Sequence, residues 1–522
     1  MAGNAPSDGL GRETAPVTSD EVTQQKTGST VLTRFYELVD RHPDKTALIY
    51  APVSGSEIEV SWVEFDRAST RIARLFASEY GVNERSLVVA ATRNSHLHYF
   101  VTYAAWKLGA LALPLRAELP ARERDEILEL AKPAVIYAEW EGVGYPTISP
   151  EELMTRAAAY SDERLPNVHP HPGKAIASGG STGRSKIIVD RTWDPTEWRR
   201  TLGMADGQVQ LMAAPLYHNS PKLIGNTGLM KDHTIVIMQR FTPEQAVDLI
   251  ERHRVQYAYL PPIILQRIAR MPGIEERDLS SIEAFHSSAA VCPPWLKRWW
   301  IERIGAEKVW EVYGSSEGIG ATIIRGDEWL EHPGSVGRPS DNAELKILDE
   351  EQRELPPGEV GEIYMRRPNP PTFNYIGAPP LKSTPDGFYS IGDLGWVDED
   401  GYLYIADRRT DMIVTGGANV YPAEVEAALG EHPEVVDVVV VGIPDDEWGR
   451  RVHAIIQPRD PANPPSVEEL NRHVRERLVN YKAPKTYEFL HEFPRNEAGK
   501  IRRTELAAER ESGVVAAQAP AS

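Results

Sequence analysis

The chain has 522 residues, 41% of them hydrophobic, a formal net charge of −19 and a single cysteine. Its length predicts two or more domains, its acidic balance argues against a general nucleic-acid binder, and one cysteine excludes an internal disulfide and is typical of a reducing compartment. Residues 1–28 lack the apolar core of a signal peptide, and no stretch reaches the ~18 uninterrupted apolar residues of a membrane span, so we expect a soluble, cytoplasmic protein.

Short apolar runs alternate with helical patterns from residue 29 to about residue 342. SLVVAA (86–91) and ALALPL (110–115) predict strands on either side of a helix, and HTIVIM (233–238) and VQYAYL (255–260) flank a second helix. Such alternation is typical of α/β layers with largely parallel sheets.

The pattern changes twice in the last third of the chain. From about residue 343, short strands separated by Pro-Pro-Gly and Asp-Gly turns predict an antiparallel, hairpin-rich portion. After Asp407, two helices and three strands predict a compact α+β unit. We therefore predict an α/β fold of four parts: a disordered tail (1–28), a large domain of two α/β subdomains and a small β-barrel-like portion (29–409), a mobile α+β domain (410–507) and a second tail (508–522).

Residues 178–186 read SGGSTGRSK, between two apolar runs. Glycines allow backbone N–H groups to turn inward, the hydroxyls add donors, and Arg184 and Lys186 supply positive charge, so the loop is suited to hold an anion such as a phosphate. A polar hairpin turn is the alternative. The loop is not a Walker loop, because two residues separate the last glycine from the lysine and a strand pattern follows.

This loop resembles the phosphate loop of the adenylate-forming superfamily, which contains acyl-CoA synthetases, nonribosomal peptide adenylation domains and firefly-type luciferases. The family's loop is commonly Ser-Gly-Thr-Thr-Gly-x-Pro-Lys, and here Ser185 replaces the proline. Further matches lie in the family's order between residues 30 and 505: YGSSEG (313–318), YSIGDLG (389–395), DRRTDMIVTGGANVYPAEVE (407–426) and EAGKIRR (497–503).

The resemblance implies a nucleotide site built from these segments. It implies that Tyr313 packs on the adenine, that Ser316 contacts the α-phosphate and that Glu317 ligates Mg²⁺, a cation that prefers carboxylate oxygen. Asp393 would accept from both ribose hydroxyls, and Arg408 would reach the ribose or a phosphate. The phosphate loop itself would contribute Ser178, Gly179, Gly180, Ser181, Thr182, Gly183 and Lys186.

The C-terminal matches imply a moving catalytic domain. In the family the hinge follows Arg408 and is usually Asp or Lys, whereas Thr410 stands there in this chain. Gly416 and Gly417 would close on the pantetheine channel after rotation. Lys500 would act in adenylation, its ammonium bridging the attacking carboxylate and the α-phosphate.

Weaker matches concern the pocket for the acid. PLYHNS is similar to a family segment whose histidine borders the acyl pocket, so His218 is expected there. HSSAAVCP stands where the family has a glycine- and alanine-rich run, so Ser288 and Ala289 are expected to line the pocket. Cys292 is followed by two prolines and is interpreted as structural, and the tryptophans of WLKRWW (295–300) are interpreted as packing.

The resemblance implies an ATP-dependent acid–CoA ligase. ATP, Mg²⁺ and a small-molecule carboxylate would give acyl-AMP and pyrophosphate, and CoA would then take the acyl group as a thioester. A homodimer, frequent among relatives, is left open. One alternative is an adenylating enzyme with another acid or acceptor: a carrier-protein thiol, an amine, or nitrite activated for diazotisation or N–N bond formation. A second alternative is a non-catalytic nucleotide- or acyl-binding sensor.

Overall fold

The structure is a computed structural model that describes most of the chain. The described residues are 28–140, 143–179, 185–197, 202–340, 343–368, 372–408, 411–415, 418–445, 447–495, 501 and 503–511. The tail predicted for residues 1–28 therefore lies almost entirely outside the described residues. Among the helices described, none is both long and apolar enough to cross a membrane.

The helices follow the caps that the sequence provides. Ser61, for example, begins the second helix with a capping box, because its hydroxyl accepts from the backbone N–H of Glu64 and the Glu64 carboxylate accepts from the Ser61 N–H; Gly81 ends that helix at φ 66°. The helices are α1 Thr30–Arg41, α2 Trp62–Tyr80, α3 His96–Lys107, α4 Ala121–Ala131, α5 Pro150–Ala157, α6 Asn219–Met230, α7 Pro243–His253, α8 Pro262–Ala269, α9 Pro294–Ile304, α10 Gly326–Glu331, α11 Pro422–Gly430, α12 Val467–Arg475 and α13 Arg503–Glu511.

The strands coincide with the β-branched and apolar runs of the sequence. They are β1 Thr46–Ala51, β2 Ile58–Ser61, β3 Leu87–Ala91, β4 Leu111–Pro114, β5 Val135–Ala138, β6 Thr147–Ile148, β7 Lys174–Gly179, β8 Ser185–Asp190, β9 Val209–Met212, β10 Thr234–Met238, β11 Tyr257–Tyr259, β12 Ala284–Ser287, β13 Val309–Gly314, β14 Ala321–Arg325, β15 Arg338–Pro339, β16 Glu344–Leu348, β17 Gly361–Arg366, β18 Phe373–Ile376, β19 Lys382–Ser383, β20 Tyr389–Ser390, β21 Asp393–Val397, β22 Leu403–Arg408, β23 Ile413–Thr415, β24 Ala418–Val420, β25 Val435–Asp445, β26 Gly449–Pro458 and β27 Thr486–Phe489.

Two parallel sheets form the large α/β body. One has nine strands in the order β15-β14-β13-β12-β11-β9-β10-β1-β2, of which the six from β13 to β1 are parallel, and the other has four parallel strands in the order β4-β3-β5-β6. A hydrophobic core containing Phe35, Trp62 and Trp106 connects both sheets through α1, α2 and α3. The prediction of two α/β subdomains with largely parallel sheets is confirmed.

Antiparallel elements surround this body. The hairpin β7–β8 pairs with β18 in a three-stranded sheet. The expected barrel-like portion is an antiparallel sheet of six strands. Five of them follow the order β19-β20-β17-β21-β22, and the sixth, β16, pairs with β17.

The C-terminal part has a core of its own. Strands β25, β26 and β27 form a sheet against α11 and α12, with residues such as Val440, Ile456 and Leu470 buried between them. Helix α13 packs on β25 and extends through Glu511, beyond the domain end expected at residue 507. Arg510 explains the extension, because it forms two 2.8 Å hydrogen bonds with the buried carboxylate of Glu488.

Candidate active site

A cavity of about 2130 Å³ lies where the C-terminal ends of the parallel strands meet the antiparallel sheets and the C-terminal part of the chain. In open parallel sheets, this edge is where ligands bind. The predicted site residues that line the cavity are Ser178, Lys186, His218, Ser288, Ala289, Tyr313, Ser316, Glu317 and Asp393. The sequence therefore predicted residues that the fold brings to one place.

Glu317 is the buried acid of this cavity. Its Oε1 accepts from the hydroxyl of Tyr375 at 2.6 Å and from the Nζ of Lys186 at 3.2 Å, and that Nζ also lies 4.0 Å above the Tyr375 ring. Burial acts to raise the pKa of Glu317, but Tyr375 and Lys186 outweigh it and hold the pKa below its ordinary value. Glu317 is thus a carboxylate at neutral pH, as a metal ligand must be.

Lys174 is a cavity residue that the sequence reasoning missed. Its buried Nζ donates to the backbone oxygen of Ser316 at 2.8 Å and to the Oδ1 of Asn219 at 3.0 Å, so it fixes the turn after β13 against α6. Burial, opposed by Asp190 and Glu317, lowers the pKa of Lys174 to about 8. A lysine inside an otherwise apolar strand, KAIA, was the available signal.

The residues predicted for the adenine and the ribose meet at the start of β21. The hydroxyl of Tyr313 donates to the Oδ2 of Asp393 at 2.8 Å, and Asp393 is paired with Arg408 across β21 and β22. The backbone register thus places residue 408 opposite residue 393, as a shared ribose or phosphate contact requires.

The phosphate loop is partly described. Ser178 pairs with Lys186, and Gly179 with Ser185, across the β7–β8 hairpin, and Ser178 and Lys186 line the cavity. Gly180, Ser181, Thr182 and Gly183 lie outside the described residues, so their role stays a prediction.

The segment predicted to act in adenylation is bracketed by cavity residues. Arg495 and Ile501 pair as an antiparallel bridge, both line the cavity, and Arg495 Nε donates to Asp437 Oδ2 at 3.0 Å. Lys500, between them, lies outside the described residues. The two ends of its segment nevertheless face the cavity that contains Glu317.

The connection between the large domain and α11 is built around buried and half-buried charges. Asp407 Oδ2 accepts from the backbone N–H of Ala423 at 2.9 Å, and Arg503 in α13 contacts Asp407, Asp411 and Glu426 at 3.5, 3.1 and 2.5 Å. The predicted hinge residue Thr410 and the loop residues Gly416 and Gly417 lie outside the described residues.

The residues predicted for the acid pocket line another wall of the same cavity. His218 precedes α6, its ring 4.3 Å from that of Tyr217. Ala289 has a φ of 80°, a conformation that alanine rarely adopts and that is concentrated at functional sites. Cys292 is buried, and burial raises the pKa of its thiol, as a structural cysteine requires.

The tryptophan-rich helix has two roles, of which the sequence predicted one. Trp300 is fully buried in the core, as expected for packing. Trp295 instead lines the cavity, and the guanidinium of Arg270 lies 4.8 Å above its ring.

This fold and site fit an enzyme that activates an acid with a nucleotide, and comparison with known proteins gives the family. The chain belongs to the AMP-binding enzyme family: the family model matches residues 35–370, and the model of the AMP-binding enzyme C-terminal domain matches residues 424–500. The predicted resemblance is thereby confirmed.

Individual relatives share about a quarter of their residues or slightly more. A fatty acid–[acyl-carrier-protein] ligase from Streptomyces coeruleorubidus is 29% identical over 86% of this chain and 91% of its own length. An indoleacetate–CoA ligase from Aromatoleum aromaticum is 29% identical over 90% and 97%. The solved o-succinylbenzoate coenzyme A synthetase of Bacillus subtilis, in complex with ATP and magnesium, is 26% identical, with a TM-score of 0.77 over 91% of this chain and 98% of that chain.

Proposed function

We propose that this chain is an ATP-dependent acid–CoA ligase that first adenylates a carboxylate and then transfers the acyl group to a thiol. The observation that carries the proposal is a single cavity that is lined by Glu317 and Asp393 from the large domain and by Arg495 and Ile501 from the C-terminal part. The relatives named above, which are AMP-forming acid–thiol ligases, support the same activity.

The donor set fits a magnesium nucleotide. Mg²⁺ is commonly bound by one or two carboxylates together with substrate phosphates and water, and Glu317 supplies a buried carboxylate with a lowered pKa. When bound, Mg²⁺ neutralises triphosphate charge. Asp393 offers acceptor oxygens for ribose hydroxyls, and Tyr313 beside it offers an aromatic face for the base.

The chain's own residues contribute positioning and charge. Lys186 at the end of the phosphate hairpin faces the cavity with a partly neutralised ammonium, because Glu317 lies 3.2 Å away. Lys174 holds the carbonyl of Ser316, so the turn that would contact the α-phosphate is fixed before the substrate arrives. The ammonium of Lys500 would then enter from the C-terminal part and offset the repulsion between carboxylate and phosphate.

The acceptor could be a carrier-protein thiol rather than CoA. The carrier-protein ligase from S. coeruleorubidus is a specific reason to keep this second function. Both acceptors react through a thiol, so the same assay is run with each acceptor in turn and the product identifies the one that is used.

We further propose a cytoplasmic location, supported by the single, buried cysteine, and a homodimer, which sedimentation velocity would test.

The test is a pyrophosphate-release screen over a panel of carboxylates, nitrite included, with CoA, carrier protein, an amine or no acceptor. We expect acid-dependent pyrophosphate release and, only with CoA, an acyl-CoA product in mass spectrometry. A product formed only with carrier protein, or only with the amine, would show that this compound and not CoA is the acceptor. Tight ATP binding with no acid supporting turnover would refute the proposed function and favour the sensor.

A further inference from the structure

Three hydroxyls lie together on one wall of the cavity. The Oγ of Ser288 is 3.3 Å from the hydroxyl of Tyr259 and 3.3 Å from the Oγ of Ser220. All three residues line the cavity. Tyr259 ends β11, Ser288 directly follows β12 and Ser220 lies in the first turn of α6. We name these residues the hydroxyl trio.

The trio is near the phosphate end of the cavity without belonging to it. Strands β11, β12 and β13 are parallel neighbours, and Ser316 and Glu317 follow β13. Because neighbouring strands lie about 4.8 Å apart, Tyr259 is about 10 Å from the end of β13. The Nζ of Lys174 donates both to Asn219, which is adjacent to Ser220, and to the carbonyl of Ser316. This lysine therefore connects the trio's end of the cavity with the phosphate end.

The trio has hydrogen-bonding capacity that its internal bonds do not use. Each hydroxyl has one donor and two acceptor lone pairs, so even with Tyr259 in contact with both serines the three donors occupy only three of the six lone pairs. The 3.3 Å separations also exceed the ordinary 2.5–3.0 Å range for hydroxyl pairs. An incoming oxygen can therefore bind without displacing a strong internal bond.

The surroundings of the trio are mixed but largely uncharged. Pro221 and Ile224, on the same helix as Ser220, line the cavity, and the ring of His286 lies 5.3 Å from that of Tyr259. Lys222, on the same helix, is buried and donates to the carbonyl of Ala112 at 2.9 Å, on the side of the second sheet. A second carboxylate at the trio would be desolvated while Lys222 is engaged elsewhere, which is costly, whereas an uncharged oxygen finds donors and acceptors.

We propose that the hydroxyl trio recognises an uncharged hydroxyl or carbonyl oxygen about 10 Å from the reacting carboxylate. The substrate class is then hydroxy- or oxo-acids, not plain alkyl or dicarboxylic acids. This inference rests on the proposed function, which places the reacting carboxylate beside Ser316 and Glu317.

The test compares matched acids that differ by one oxygen: 4-hydroxycinnamate with cinnamate, and 8-hydroxyoctanoate with octanoate. Affinities are measured by isothermal titration calorimetry with AMP present. We expect the enzyme to bind the hydroxylated member of at least one pair about tenfold more tightly, because the acid without the hydroxyl leaves the trio's hydroxyls without a hydrogen-bond partner on the substrate. In Tyr259→Phe the ratio should fall below about twofold.

Tyr257→Phe is the matched control, because Tyr257 lies on the same strand with a buried ring beside His233, and it should keep the full ratio. Ser220→Ala, in a helix turn, is a second test variant should Tyr259→Phe not fold. Equal binding within both pairs, no binding of any of these acids, or a preference that survives in both test variants would overturn the inference. Pyrophosphate release from the same acids, assayed separately, reports on the proposed function itself.

Discussion

Arg270 links the large domain to the C-terminal part, and its removal should weaken adenylation selectively. The guanidinium follows α8, lies over Trp295 and donates to the backbone oxygens of Val436 and Val435 in β25. Gln266, one turn earlier, donates to the same Val436 oxygen at 2.9 Å. Burial lowers the pKa of Arg270 to about 10, so the group is still charged at neutral pH.

The same strand leads on to the adenylation segment. Asp437, next to the carbonyls that Arg270 holds, pairs with Arg495, which in turn bridges to Ile501. The orientation that Arg270 stabilises is therefore the one in which Arg495 and Ile501 line the cavity. We infer that this orientation serves adenylation.

The magnitude follows from the hydrogen bonds that Arg270→Ala removes. A charged donor to carbonyls contributes about 1.5–3 kcal/mol, and Gln266 keeps Val436 satisfied, so we expect about 2 kcal/mol. At 1.4 kcal/mol per factor of ten, the domain-docking equilibrium shifts roughly 30-fold. If the docked fraction limits adenylation, its rate falls by roughly the same factor.

The assay separates the two half-reactions. ATP–pyrophosphate exchange reports adenylation, and thioester formation from preformed acyl-AMP reports the second step. Arg267→Ala is the matched control, because Arg267 lies on the same helix but contacts Phe241 of the large domain, 5.5 Å from its ring. Equal losses in Arg270→Ala and Arg267→Ala, or equal losses in both half-reactions, would refute the reasoning.

Three further changes have defined outcomes. Lys500→Ala should slow pyrophosphate exchange by roughly 10²–10³ and thioester formation from acyl-AMP much less; equal loss would contradict the assigned role. Tyr375→Phe removes a hydrogen bond that lowers the pKa of Glu317, so more Glu317 is protonated at pH 5.5 in the variant. The increase in KM for Mg·ATP that the substitution causes should therefore be about tenfold larger at pH 5.5 than at pH 7.5. Burial lowers the pKa of Lys222 to about 7, so the unfolded chain binds one more proton at this lysine between pH 7 and 10.5, and stability rises with pH there. Buried Lys174 adds a rise of the same sign above pH 8, so urea unfolding of Lys222→Met should show a rise that is smaller by about 1.4 kcal/mol per pH unit than in the unmodified chain.

Much of the fold was predictable because its signals are local. The apolar runs at 86–91 and 233–238 are strands β3 and β10, and the helix predicted between residues 238 and 255 is α7. The site residues after β12 and β13 were predictable for a related reason: these segments carry short motifs, and parallel strands bring such segments to one edge.

Long-range partners were not predictable. Lys174 meets Ser316 across 142 residues, Tyr375 meets Glu317 across 58, and Arg270 meets Val436 across 166. No local period or spacing encodes such pairs, because they arise only when separate sheets and domains pack. Trp295 shows the same limit: its helical spacing indicated packing against the core, which it has, but not its contact with Arg270, 25 residues earlier in the chain.

The placement of cations explains why the reaction needs both parts of the chain. A carboxylate and a phosphate oxygen about 4 Å apart repel by about 4 kcal/mol at an effective dielectric of 20. Within the described residues, Lys186 is already paired with Glu317, and Lys174 is engaged with the carbonyl of Ser316, so neither can offset that repulsion fully. We infer that an additional cation comes from the C-terminal part, because Arg495 and Ile501, the two ends of the predicted adenylation segment, line the cavity.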